Sequence, residues 1–380
     1  MALEQQARYT ILAEVNDDDR ARQEFVTSLK RVIQARLTPG VRTVWEQRGA
    51  PAFRAAHQRD PVTREEVRSA FGDDHYVRMS SALRRVSQER LWDGIAELVD
   101  RQLPQLVEHV RAATHAGSAG GELALDPGFE VPEYLSALDV HCMPTGYHRE
   151  SVDDDVAAGA IYDRGAYVYS MGQLGPLMDD FGQSMIKHFL DVDHRQLRPR
   201  RVLDLGCTIG CSTLPYVDRY PDAEVFAIDA GAPVLRYAHA RAHELGRRVF
   251  FSQQNAEHTS FPDGHFDLIV SHILLHETSH TALANIFAEC YRLLAPGGLM
   301  AHCEVPQFAG LDPFTQFLAD WDTHNNNEPF WGAMHDFDLE LLAEDCGFDR
   351  DQVATVSIPT GRRLQLGTKT TTLSVIAARR

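Results

Sequence analysis

The chain has 380 residues, 44% of them hydrophobic and 24% charged, with a formal net charge of −17 at pH 7. These proportions suit a folded globular protein, long enough for two domains or for one sheet-based domain with a large extension. The negative balance argues against a nucleic-acid partner, because phosphate binding draws its affinity from clustered Lys and Arg. No basic run stands out, and the only lysines are Lys30, Lys187 and Lys369.

The opening "MALEQQARYTILAEVNDDDR" is charged throughout and lacks the apolar stretch of a signal peptide. No segment approaches the roughly 18 apolar residues that a membrane span requires. The six cysteines, at 142, 207, 211, 290, 303 and 346, contain no C-x-x-C pair. Neither a disulfide framework nor a Cys-rich zinc module is indicated. A reduced, cytoplasmic protein with no membrane partner is expected.

Residues 15 to 113 read as helical throughout. "RQEFVTSLKRVIQARL" spaces Phe25, Leu29, Val32, Ile33 and Leu37 at helical intervals, and "ERLWDGIAELVDRQLPQLVEHVRAA" continues the pattern past an expected kink at Pro104. "THAGSAGGELALDPG" then concentrates Gly, Ala and Ser and reads as a linker or surface excursion. Residues 129 to 165 are less periodic and dense in His, Tyr and acidic side chains. Residues 166 to 190 are again helical, interrupted near Gly175-Pro176.

The rhythm then changes. "RRVLDLGC", "EVFAIDA", "RVFFSQQ", "FDLIVSHIL" and "GLMAHCEV" read as short strands, with helices expected at Ser212–Tyr220, Pro233–Leu245 and Thr281–Leu294. Strands alternating with helices imply a parallel, doubly wound sheet. Two further strands, "QVATVSIPT" and "TTLSVIAAR", follow the helix "DLELLAEDCG" and are expected to pair antiparallel at one edge. The fold class is therefore α/β: a doubly wound, mostly parallel, seven-stranded sheet with the last strand antiparallel, preceded by an all-helical region.

"VLDLGCTIGCSTL" closes the first of these strands and opens a helix. Gly206 and Gly210 permit a sharp turn and close approach of a ligand to the backbone. A dinucleotide site would show G-x-G-x-x-G. The spacing here is G-x-x-x-G, which suits a nucleoside without a phosphate. Asp229 ends the second strand, where a carboxylate can accept hydrogen bonds from ribose hydroxyls.

From about residue 195 to 380 the sequence resembles the class I S-adenosylmethionine (SAM)-dependent methyltransferases, small-molecule branch. Five ordered segments carry the likeness: "LDLGCTIG", "AIDA", "QQNAEHTSFPDGHFDLIVSHILLH", "RLLAPGGLM" and "LAEDCGF". The resemblance implies that Asp204, Gly206, Cys207, Thr208 and Gly210 surround the methionyl part of SAM, and that Asp229 holds the ribose. Ala230 would pack against adenine, Asn255 and Ala256 would meet its edge, and Ser271 and His272 would face the sulfonium. Cys207 and Thr208 stand where many members carry a small residue or Gly. Tyr162, Tyr167 and Tyr169 fall in the region that folds over SAM in this superfamily, where an aromatic face attracts a cation. Tyr169 is assigned to the cofactor and Tyr162 to the acceptor; packing the helix against the sheet is an equal alternative for each.

His276-Glu277-Thr278-Ser279-His280 matches H-E-x-x-H, a zinc pattern that requires both histidines on one helical face. Here the motif straddles a strand end and a helix start, with Thr278 or Ser279 as N-cap. No metal is expected. His276 is instead a candidate general base, with Glu277 the second, since an imidazole titrates near neutral pH; lining the pocket is the alternative. His302 and Glu304 share one face of a strand, and His302 joins the substrate-side candidates. His141 and His148, with Cys142 and Tyr147 between them, have the chemistry of a metal or acceptor site, although loop histidines more often pack.

The insertion "PQFAGLDPFTQFLADWDTHNNNEPFWGAMHDFD" carries too many large apolar residues for disorder. It is expected to roof an acceptor pocket, with Phe314, Trp321, Phe330 and Trp331 as walls. The expected organisation is a helical region 1–128 that covers the pocket and dimerises, a connecting segment 129–194, and a SAM domain 195–380 with its lid at 305–337. An N-terminal helical region of this kind resembles that of natural-product O-methyltransferases in architecture only. The expected activity is methyl transfer to a small organic molecule by a homodimer. A zinc hydrolase and a non-catalytic SAM sensor are the alternatives.

Overall fold

The structure, a computed structural model, describes residues 5–115, 121–360 and 372–380. Its sheet has eight strands: β1 Gly121–Ala124, β2 Arg201–Leu205, β3 Glu224–Asp229, β4 Val249–Gln253, β5 Phe266–His272, β6 Leu294–Glu304, β7 Val353–Pro359 and β8 Thr372–Arg379. They lie in the order β1-β4-β3-β2-β5-β6-β8-β7. From β1 to β6 all pairs are parallel, while β8 runs antiparallel to both β6 and β7. Val202 to Leu205 are buried without alternation, as a parallel strand covered on both faces requires. Helices Ala232–Glu244 and His280–Leu293 provide two of the crossovers.

Two expectations change. The Gly-rich stretch 114–128 is not only a linker: its residues 116–120 lie outside the described ones, but 121–124 form β1, a strand beyond the seven expected. Gly121 has φ +94°, and a Cβ there would sit 1.8 Å from the Val249 carbonyl oxygen, so only glycine lets this edge strand dock. Pro104 does not kink a continuous helix. Helix His75–Asp100 ends, and Leu103–His115 begins one residue before Pro104, where a missing N–H costs nothing.

The N-terminal helices are not separate from the sheet's own layers. Leu91, Trp92, Ile95 and Leu98 pack in one buried cluster with Ile161 and Val168 and with Val234, Tyr237 and Ala240 of the crossover helix. The Tyr237 hydroxyl donates to Asp163 Oδ2 at 2.9 Å and lies 3.2 Å from the Ile11 carbonyl oxygen. The insertion after β6 forms helices Pro313–Asn325 and Trp331–Met334. Among the described residues no helix is long and apolar enough to cross a membrane.

Candidate active site

Strand order reverses between β2 and β5, since β3 lies on one side of β2 and β5 on the other. A crevice opens at such a switch point, beyond the carboxyl ends of the strands, and the site lies there. At the end of β2 the chain turns through Gly206 (φ +67°), Thr208 (φ +49°) and Gly210 (φ +74°). A Cβ on Gly206 would lie 2.6 Å from Leu274 Cδ1, so this turn needs glycine for space as well as for conformation.

Asp229 clamps the turn from β3. Its Oδ2 accepts the Thr208 N–H and its Oδ1 the Gly231 N–H, each at 2.9 Å. Burial raises its carboxyl group above the usual carboxylate range, against the pull of these backbone donors. Each oxygen has a second lone pair, so the carboxylate can still take two hydroxyls of a ligand. Asp204, 2% exposed, accepts the Thr213 hydroxyl at 2.5 Å and lies 3.5 Å from His272 Nδ1. The other ring nitrogen of His272 meets the Tyr216 hydroxyl at 3.0 Å.

One cavity joins these groups. Asp204, Gly206, Cys207, Thr208, Asp229, Ala230, Asn255, Ala256 and His272 line it, together with Tyr162 and Glu277. Gly210, in the same turn as Gly206, is not among the residues that line it. Ser271 is buried beneath the surface of the crevice, where its hydroxyl pairs with His302 Nδ1 at 2.7 Å. His302 is likewise sealed off, and burial lowers its imidazole to about 4. Tyr167 is buried in the helical cluster, and Tyr169 lies outside the cavity with Lys30 Nζ 4.6 Å from its ring centroid.

The lid residues divide. Phe314 and Trp321 do not face the cavity; they pack against the N-terminal helices, with Phe314 stacked on Trp45 at 5.5 Å. Trp331 lies behind the cavity wall, its ring 4.4 Å from that of His276. Phe330 meets Tyr134, a cavity residue, edge-on at 6.1 Å.

The H-E-x-x-H histidines diverge. Ser279 caps helix His280–Leu293, so His280 begins it and packs edge-on to Phe337, whereas His276 sits in a 3-10 turn. His276 is 1% exposed, with Nδ1 2.8 Å from Glu304 Oε2 and Nε2 3.6 Å from Glu277 Oε1. Burial disfavours its charged form, but Glu304 and Glu277 overcome this and raise it well above the ordinary histidine range. Glu277, which faces the cavity, is desolvated too, yet His141 and His276 hold it far below the usual carboxylate range.

His141 was singled out in the sequence with His148, but the two do not meet. His141 Nε2 contacts Glu277 Oε1 at 2.9 Å, and Nδ1 contacts Glu328 of the lid. Burial would lower this imidazole; Glu328 and Glu277 push it up to about 10. Sequence reasoning missed Glu328, Tyr134 and Met178. The density of His and Tyr in 129–165 was a signal for Tyr134; nothing in the sequence distinguished Glu328.

A family model described as "Methyltransferase domain" matches residues 202–298. The chain is 35% identical over 108 residues to a demethylmenaquinone methyltransferase of Thermus thermophilus, covering 28% of this chain and 48% of that one. It is 36% identical over 107 residues to a malonyl-[acyl-carrier protein] O-methyltransferase of Geobacter sulfurreducens, covering 28% and 38%. The chain thus spans less than half the length of these relatives. A solved SAM-dependent methyltransferase from Methanosarcina mazei is 22% identical over 49% of this chain and 95% of that one, with a TM-score of 0.38, too loose a likeness to place any residue. The glycine turn and the acid at 229 fall inside the segment that matches the methyltransferase-domain model.

Proposed function

We propose that the chain transfers the methyl group of SAM to a small organic acceptor. The observation that carries this reading is one cavity lined both by the Gly206 turn and Asp229 and by the apolar and aromatic side chains of Leu135, Tyr147, Tyr162 and Met178. The residues fit the cofactor: Asp229 has free lone pairs for ribose hydroxyls, Ala230 and Ala256 offer small apolar surface for a base, and Asp204 lies at the methionyl side. SAM, when bound, supplies a methyl group on a cationic sulfur. The chain's task is then to align the acceptor and exclude water.

Glu277 is a carboxylate on the wall of this cavity. It is held from one side by His141 and from the other by His276, which Glu304 orients in turn. His276 was expected as a base, but it lies behind the cavity wall under Trp331, so we assign it a positioning role through Glu277. The apolar and aromatic walls favour an organic acceptor over a nucleic acid, in keeping with the formal charge of −17. The zinc-hydrolase alternative has no support in the diverging His276 and His280.

The test is transfer of labelled methyl from SAM to pools of metabolites, protein and RNA. Label should enter the small-molecule fraction, and Glu277→Gln should slow this by about tenfold or more while leaving SAM affinity within about twofold. Label confined to RNA or protein, or cofactor binding with no transfer to any pool, would contradict the proposal.

A further inference from the structure

The cluster formed by His141, Glu277 and Glu328 has a composition that methyl transfer alone does not call for. Its members come from three distant segments: the short turn at 140–142, the turn after β5, and the lid. One donor atom of each lies within 4.8 Å of the others. The side chains of Glu277 and Glu328 are 12% and 3% exposed. Among the described residues no Lys or Arg pairs with either; Lys30 reaches toward them only through Gln88 and Asn326. Three desolvated carboxylates, Glu277, Glu304 and Glu328, thus share two imidazoles, His141 and His276, leaving negative charge that burial makes costly.

We propose that His141, Glu277 and Glu328 bind a divalent transition-metal ion. Metal–nitrogen and metal–oxygen bonds of about 2.0–2.2 Å place neighbouring ligand atoms roughly 3 Å apart and opposite ones a little over 4 Å apart. The 2.9 Å separation of His141 Nε2 and Glu277 Oε1 matches the shorter spacing. One imidazole with two carboxylates suits Mn²⁺, Fe²⁺ or Zn²⁺ better than an all-oxygen ion such as Mg²⁺.

The ligands are also held from behind, as those of metal sites are. Asn326 Nδ2 contacts both His141 Nδ1, at 3.0 Å, and Glu328 Oε1. His276, fastened by Glu304, aims a buried Nε2 that has no hydrogen-bond partner at Glu277. His141 and Glu277 line the cavity, so the ion's open positions would face it. If the methyl-transfer reading holds, the ion would grip an acceptor through a pair of adjacent oxygens, such as a vicinal diol or a hydroxy acid.

The test titrates chelator-treated full-length protein with Mn²⁺ alone and follows the paramagnetic resonance of free Mn²⁺, without SAM or acceptor. One Mn²⁺ should bind per chain, and both Glu328→Gln and His141→Asn should weaken it by at least about tenfold. Calorimetry with S-adenosylhomocysteine on the same samples serves as the check on folding and reports separately on the cofactor site. If neither Mn²⁺ nor competing Zn²⁺ binds, or if both variants bind as tightly as the parent, the proposal is wrong, whatever becomes of the methyl-transfer reading.

Discussion

At the scale of single residues, what matters is where a polar atom's second partner comes from. Asp229 accepts the Thr208 N–H of the turn after β2 on one oxygen and the Gly231 N–H of its own turn on the other and keeps further lone pairs, which makes it both a structural clamp and a ligand group. His302 is the opposite case: both ring nitrogens face interior groups, Ser271 and Cys290, and burial lowers its imidazole to about 4. The unfolded chain, with its histidine near 6.5, then binds more protons than the folded one between about pH 6.5 and pH 4. Stability should fall through that window by about 3 kcal/mol at most. Denaturant unfolding at pH 7.5 and pH 4.5 should show a smaller acid loss for His302→Gln than for the parent; equal losses would remove His302 from the balance. Gly206 and Asp229 could be read from the sequence because a positive-φ turn and a strand end each restrict residue type. The register at 276–277 could not: a 3-10 turn rotates Glu277 toward the cavity and His276 away from it, and strand periodicity does not report that rotation.

At the scale of elements, the lid shows why large apolar residues in an insertion do not reveal what they cover. Phe314 and Phe317 bury against Trp45, Val67 and Phe71, fixing helix Pro313–Asn325 to the N-terminal helices. The lid's contribution to the cluster, Glu328, lies just beyond that helix. Phe314 was expected as a pocket wall, yet its role is to anchor. Phe314→Ala should cost about 3–5 kcal/mol of stability and leave S-adenosylhomocysteine affinity unchanged, as thermal melts and calorimetry would show. A variant with native stability would contradict the anchoring role. Strand β1 escaped the sequence for a different reason. Four residues are too few to show alternation, and the glycine that admits the strand is also a turn residue by composition.

At the scale of the whole molecule, the helical cluster, the sheet and the lid converge on one crevice. The buried cluster that contains Trp92 also contains Tyr237 of the β3–β4 crossover helix, and the lid connects those helices to Glu328. The parallel sheet was legible from alternating strands and helices; the way the N-terminal helices close over it was not, because their apolar stripes do not specify a partner. The central claim is that the crevice at the ends of β2 and β3 binds a nucleoside sulfonium or its demethylated product. Its most direct test is calorimetric titration of S-adenosylhomocysteine into the parent protein and Asp229→Asn. Loss of hydrogen bonds to a charged acceptor, each contributing about 1.5–3 kcal/mol, predicts one binding event per chain that weakens by about tenfold or more in the variant. Absence of binding by a folded parent, or equal affinity in the two proteins, would contradict it.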